Sequence, residues 1–212
     1  MLSFPAQNWE KALAPAKASL KGSSSGYGRV ASRIVSRLYL SDLWTATNSE
    51  KLSDLGITHV ISVLEAKPTL PGFISEERRL HLCIADVAES DILQHLDTTT
   101  AFIRKALEEN EVNKVLVHCA QGISRSATVV CAYLVATTDM TAAASIEYIQ
   151  SIRGIVCPNI GFRKQLDQYA TRYVKLKPQP PPMTLPDVFK LGGGIAARIR
   201  KLKNTDKAEK RS

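Results

Sequence analysis

The sequence has no apolar run approaching the roughly 20 residues that a membrane-spanning helix needs, and its first 21 residues lack the uninterrupted apolar centre of a secretory signal. That opening stretch is rich in alanine and lysine, but Glu10, Pro5 and Pro15 argue against a transit peptide. Paired cysteines are missing too. Cys83, Cys119, Cys131 and Cys157 form no CxxC pair, so their spacing offers no zinc site and no metal is expected. Without a secretory signal the expectation is free thiols in a reducing compartment, cytoplasmic and/or nuclear. Internal repeats are absent. So is any charge excess in the body of the chain, where 17 Lys and Arg face 17 Asp and Glu as far as Ala170. From Thr171 onward the balance is 11 against 3, so the whole formal charge of +8 belongs to the C-terminal end. The basic character of the chain is therefore no argument for a nucleic-acid-binding domain.

What is present divides into three parts. Residues 1–32 close on Gly22-Ser23-Ser24-Ser25-Gly26 and read as a flexible leader. Residues 33–176 carry alternating strand and helix patterns. Residues 177–212 begin with Lys177-Pro178-Gln179-Pro180-Pro181-Pro182 and continue as a basic tail. Within the middle part, Ile34 to Leu40 alternates apolar and polar residues as a strand does. Ser49 to Leu55 predicts a short helix stopped by Gly56, and β-branched Ile57 to Leu64 a strand. Arg79 to Ile84 predicts another strand, closely followed by Asp86. Asp91 to Asn110 has the spacing of an amphipathic helix, and Lys114 to His118 is a buried strand. Ser126 to Thr138 is apolar almost all round and predicts a buried helix. Thr141 to Arg153 and Asn159 to Leu176 complete the helices. This order implies an α/β domain with a central sheet flanked by helices.

The chemistry concentrates in His118-Cys119-Ala120-Gln121-Gly122-Ile123-Ser124-Arg125-Ser126, between a buried strand and a buried helix. A loop opening a helix N-terminus presents unpaired N–H groups that suit a phosphate dianion. Gly122 lets the backbone approach the anion, and the planar fork of Arg125 can grip two phosphate oxygens. The same positive field favours a Cys119 thiolate, which is a nucleophile in position under a bound phosphoryl group. His118 next door suggests a Cys–His dyad, but neighbours on a strand point to opposite faces, so it is assigned a hydrogen-bonding place beneath the loop. Cys131 reads as core, and Cys83 and Cys157 as structural, with Cys83 the better candidate for a redox partner of Cys119. Asn159, after Pro158, reads as the cap of the last helix.

Cys119-x5-Arg125-Ser126 resembles the signature of protein tyrosine phosphatases, and its neighbours narrow the likeness to the dual-specificity branch. Those neighbours are Leu38-Tyr39-Leu40, Gly56-Ile57-Thr58-His59-Val60-Ile61, Val117-His118-Cys119, and Arg153 to Phe162 with Gln165-Leu166. The likeness spans about Arg33 to Tyr173. It implies a central twisted mixed sheet flanked by helices, the protein tyrosine phosphatase-like fold, and a small stand-alone phosphatase of phosphotyrosine and phosphoserine or phosphothreonine in proteins. Cys119 would be the nucleophile, Asp86 the general acid and Arg125 the phosphate grip. The N–H groups of Ala120, Gln121, Gly122, Ile123, Ser124 and Arg125 would bind phosphate, and the Ser126 hydroxyl would help the thiolate leave, with no metal or cofactor. Asp91 and Asp97 rival Asp86. Phosphoinositide- or RNA-directed relatives remain as alternatives, but the uncharged Ala120, Gln121, Ile123 and Ser124 favour a protein phosphomonoester. A catalytically dead phosphate-binding module is the other alternative, although Cys119, Arg125 and Asp86 are all present. The basic tail could meet an acidic partner or an anionic membrane surface.

Overall fold

The computed structural model describes residues 30–174. Residues 1–29 of the leader, the proline-rich linker, the basic tail and the last residues of the expected final helix lie outside the described residues, while Ser32, expected in the leader, belongs to the first strand.

Five strands form one mixed sheet: β1 (Ser32–Val35), β2 (Leu38–Ser41), β3 (His59–Val63), β4 (Arg79–Leu82) and β5 (Val115–His118). Their order across the sheet is β1-β2-β5-β3-β4, parallel throughout except for the antiparallel β1–β2 pair at one edge. The strand expected from Ile34 to Leu40 is therefore two strands joined by a tight turn. Arg37 occupies the left-handed region at φ 64°, which a non-glycine residue enters only when its surroundings hold it there. Its guanidinium donates to the carbonyls of Leu107 (3.0 Å) and Asn110 (2.7 Å), contacts far away in sequence that supply the hold.

The helices are α1 (Leu43–Ala46), α2 (Ser49–Leu55), α3 (Leu93–Glu109), α4 (Arg125–Thr137), α5 (Ala142–Ile152) and α6 (Ile160–Val174). Local chemistry sets their limits. Asp42, Asn48 and Thr141 each accept an N–H of the first turn that follows, and Gly56 ends α2 in the left-handed conformation at φ 67°.

The sheet separates two apolar layers because side chains alternate along a strand. Val115 and Val117 of β5, with Ile61 and Val63 of β3, face a core closed by α3, α4, α5 and α6. Leu116 and Val60 face the opposite side, where Ala46, Leu52, Leu70 and Ile74 cover them. α4 sits inside the larger layer with residues 125–132 all buried, which is why its sequence is apolar nearly all round. The parallel strands β2, β3, β4 and β5 all end on the same edge. Asp42, Asp86 and Cys119 follow three of those ends, so the topology gathers them there.

Candidate active site

Cys119 follows β5 directly, and the chain curls through Ala120 to Ser124 before entering α4 at Arg125. The loop's carbonyls all have partners outside the curl. Cys119 O accepts from His118 Nδ1 (3.3 Å), Ala120 O from Leu43 N (3.2 Å), and Gln121 O and Gly122 O from the Arg153 guanidinium (both 3.0 Å). Ile123 O accepts from Cys157 N, and Ser124 O from both Thr128 N and Thr128 Oγ1, all at 2.9 Å. With the carbonyls turned out, the N–H groups turn in, and the inside of the curl becomes a nest for an anion. Its present occupant is the Cys119 sulfur, which accepts from Gly122 N and from Ser126 Oγ, each at 3.2 Å.

The electrostatics follow from that geometry. Burial by itself raises the thiol pKa of Cys119. The Ser126 hydroxyl and the N–H groups of Ser126, Ile123 and Gly122 outweigh it, so the net displacement is downward, toward thiolate. Gly122 has a steric reason as well as a functional one. Its φ is +70°, and a Cβ there would lie 2.8 Å from Ser41 C and press on Ser41 O. The glycine permits the loop to pack on the end of β2, in addition to keeping its inner side open.

His118 is fully buried between strands. Nδ1 can only donate to the Cys119 carbonyl, so Nε2 is the unprotonated nitrogen and accepts from Ser62 Oγ at 2.7 Å. Burial lowers its pKa to about 4, so the ring is neutral at physiological pH and sits beneath the loop, as the alternation of strand side chains predicts.

Asp86 lies on the loop after β4 and reaches across to the cradle. Oδ1 accepts from Ser124 Oγ (2.7 Å) and from Asn159 Nδ2 (2.9 Å), while Oδ2 lies 3.4 Å from Arg125 Nε. Arg125 Nη1 donates to Ile84 O at 3.1 Å. Nε, although within ion-pairing distance of Asp86, has no hydrogen-bond partner and is buried. A buried orphan donor beside the cradle is a place for a phosphate oxygen. The rival carboxylates are elsewhere. Asp91 accepts from Gln94 N at the start of α3, and the exposed Asp97 pairs with Arg172 at 2.7 Å.

Two contributors were not singled out for the site from sequence. Asn159 does cap α6, accepting from Phe162 N at 2.9 Å, but its amide end also holds Asp86. Arg153, 6% exposed, secures the outer carbonyls of the loop. Ser124, placed where a helix cap would be, gives its hydroxyl to Asp86 instead. Cys131 is core, with burial pushing its thiol up to about 12. Cys83 is exposed and donates to Glu65 O at 3.1 Å. All four cysteines are free.

A phosphate nest wrapped around a thiol, with a carboxyl group and an arginine converging on it at the carboxyl edge of a mixed sheet, defines the class of cysteine-dependent phosphatases. Residues 38–172 match the family described as dual specificity phosphatase, catalytic domain, and the chain belongs to that family of protein phosphatases. A curated relative, tyrosine-protein phosphatase yvh1 of Schizosaccharomyces pombe, is 37% identical over 65% of this chain and 41% of its own length. Dual specificity protein phosphatase 22-A of Danio rerio is 34% identical over 69% of this chain and 68% of its own. The chain thus spans less than half of the first relative and about two thirds of the second. Among solved structures, the human tyrosine phosphatase-like serine/threonine/tyrosine-interacting protein superposes with a TM-score of 0.63 at 35% identity. The superposition covers 69% of this chain and 99% of that one.

Proposed function

We propose that this chain hydrolyses phosphotyrosine and phosphoserine or phosphothreonine in proteins through a cysteinyl-phosphate on Cys119. The observation that carries the reading is the outward turn of the carbonyls from Cys119 to Ser124, which leaves N–H groups and a lowered thiol facing one point. Cys119 Sγ attacks phosphorus in line, so an S–P bond forms as the bond to the leaving oxygen breaks. Asp86 delivers its proton to that oxygen. Arg125 and the N–H groups of Ala120, Gln121, Gly122, Ile123, Ser124 and Arg125 hold the three equatorial oxygens, where positioning and electrostatics supply most of the acceleration. In the second step Asp86, now a carboxylate, takes a proton from water as that water attacks phosphorus. The S–P bond breaks, and the Ser126 hydroxyl donates to the departing thiolate. The products are phosphate and the regenerated acid.

The test is turnover of an aryl phosphate and of phosphotyrosine and phosphothreonine peptides, with vanadate as competitor. Asp86→Asn should lower kcat by roughly 10²–10⁴, the usual size of a general acid–base contribution. Undiminished kcat in that variant would remove Asp86 from the mechanism, and no vanadate-sensitive turnover by the native chain would overturn the reading. The reading also takes the protein to be cytoplasmic and/or nuclear. It assigns the basic tail within residues 177–212 to an acidic partner or an anionic membrane surface, which is supported by 9 Lys and Arg against 3 Asp and Glu there. Unchanged localisation of a fluorescent fusion after deletion of residues 190–212 would contradict the assignment of the tail.

A further inference from the structure

Seven large apolar side chains are exposed among the described residues. Isolated exposure of this kind is ordinary on a protein surface and means little. The placement of three of them is not scattered. Trp44 (55% exposed) follows Leu43, whose N–H is bonded to the Ala120 carbonyl of the cradle. Val87 (49%) follows Asp86, and Ile160 (63%) follows Asn159, which holds Asp86. Consecutive Cα atoms are about 3.8 Å apart, so each of the three sits one residue from a group bonded into the site.

Val87 and Ile160 are neighbours of each other as well. Asp86 is bonded to Asn159 on one side of the pair, and on the other a Cβ at Gly161 would lie 2.6 Å from the Ala88 carbonyl carbon. The two chain segments are held together on both sides of residues 87 and 160, which places these two positions near each other on the acid side of the cradle. Trp44 is on the opposite side. It follows β2, whereas Asp86 follows β4, and Cys119 at the end of β5 lies between them in the strand order. Three strand spacings of about 4.8 Å separate β2 from β4, roughly 14 Å in all. An extended peptide covers that distance in about four residues at roughly 3.3 Å each. A protein substrate with its phosphoryl group in the cradle lies beside the segments that carry these three residues, because each segment also carries a group bonded into the site.

We propose that Trp44 on one side and Val87 with Ile160 on the other bind apolar residues within about two positions either side of the phosphorylated residue of a protein substrate. This rests on the phosphatase reading above. The loop agrees with it, since Ala120, Gln121, Ile123 and Ser124 carry no charge that would favour an acidic flank.

The experiment compares two nine-residue phosphotyrosine peptides, one with Leu and Val at the two positions on each side and one with Glu and Ser there. In the full chain, kcat/KM should favour the apolar-flanked peptide by about tenfold or more, the discrimination that a hydrophobic contact of one side chain supplies. The ratio should fall toward unity in Trp44→Ser combined with Ile160→Ser. It should persist in Val112→Ser, which alters an exposed apolar residue in the connection between α3 and β5. A second measurement does not depend on turnover. With Trp9→Phe and Cys119→Ser, Trp44 is the sole tryptophan, and its emission should shift to the blue with the apolar-flanked peptide and stay in place with inorganic phosphate. Equal turnover of both peptides with no emission shift overturns the rim and leaves the phosphatase reading standing. Turnover of neither peptide by the native chain overturns both.

Discussion

A thiol with 1% exposure would ordinarily hold its proton more tightly than one in water. At Cys119 the opposite holds because one hydroxyl and several N–H groups are aimed at its sulfur. The guanidinium of Arg125 was expected to share in this, but it is directed to Ile84 O and Asp86. The weight therefore falls on Ser126. A hydrogen bond to a charged group contributes about 1.5–3 kcal/mol. Ser126→Ala should raise the apparent pKa for alkylation of Cys119 by iodoacetate. It should also make hydrolysis of the cysteinyl-phosphate slower than its formation, seen as a burst of released phenol. An unchanged alkylation profile would show that the N–H groups alone stabilise the thiolate. At this scale the signature Cys119, Arg125 and Ser126 was legible because their roles need only a strand, a loop and a helix in sequence. Asn159 was legible as a cap and illegible as the holder of Asp86, since that contact joins residues 73 apart.

The cradle is as rigid as the elements that grip it. β5 and β3 do this through His118, whose ring links Ser62 to the Cys119 carbonyl. Its pKa is about 4 in the folded chain against 6.5 when exposed. Between those values the unfolded chain binds more protons, so stability rises with pH there and is lost as pH falls from about 6.5 toward 4. The shift sets an upper limit of about 3 kcal/mol. Urea midpoints measured from pH 7 down to 4.5 should fall for the native chain and fall less steeply for His118→Asn. Equal slopes would mean that other groups carry the acid response. Helices α2 to α6 and strands β3 to β5 were legible from periodicity and caps. The β1–β2 turn was not, because Arg37, the residue at positive φ, is not a type that marks tight turns, and Ser36 beside it is a weak signal alone. Its conformation is held by carbonyls near the end of α3, a tertiary cause that no local pattern records.

Across the whole molecule, the sheet order brings the ends of β2, β5, β3 and β4 to one edge, where one loop supplies the anion nest and another the acid. The mixed sheet and its flanking helices were foreseeable from the alternation of strands and helices with the family likeness. The strand order itself was not, because pairing is decided by burial on both faces rather than by any one segment. The account stands or falls on the sulfur of Cys119 taking the phosphoryl group. Acid quench of the Ser126→Ala chain during turnover of a ³²P-labelled phosphotyrosine peptide, followed by peptide mapping, tests this directly. Label bound one per chain on the peptide carrying Cys119, and none in the variant that also carries Cys119→Ser, is the predicted result. Turnover that persists in Cys119→Ser, or label found on any other residue, would contradict it.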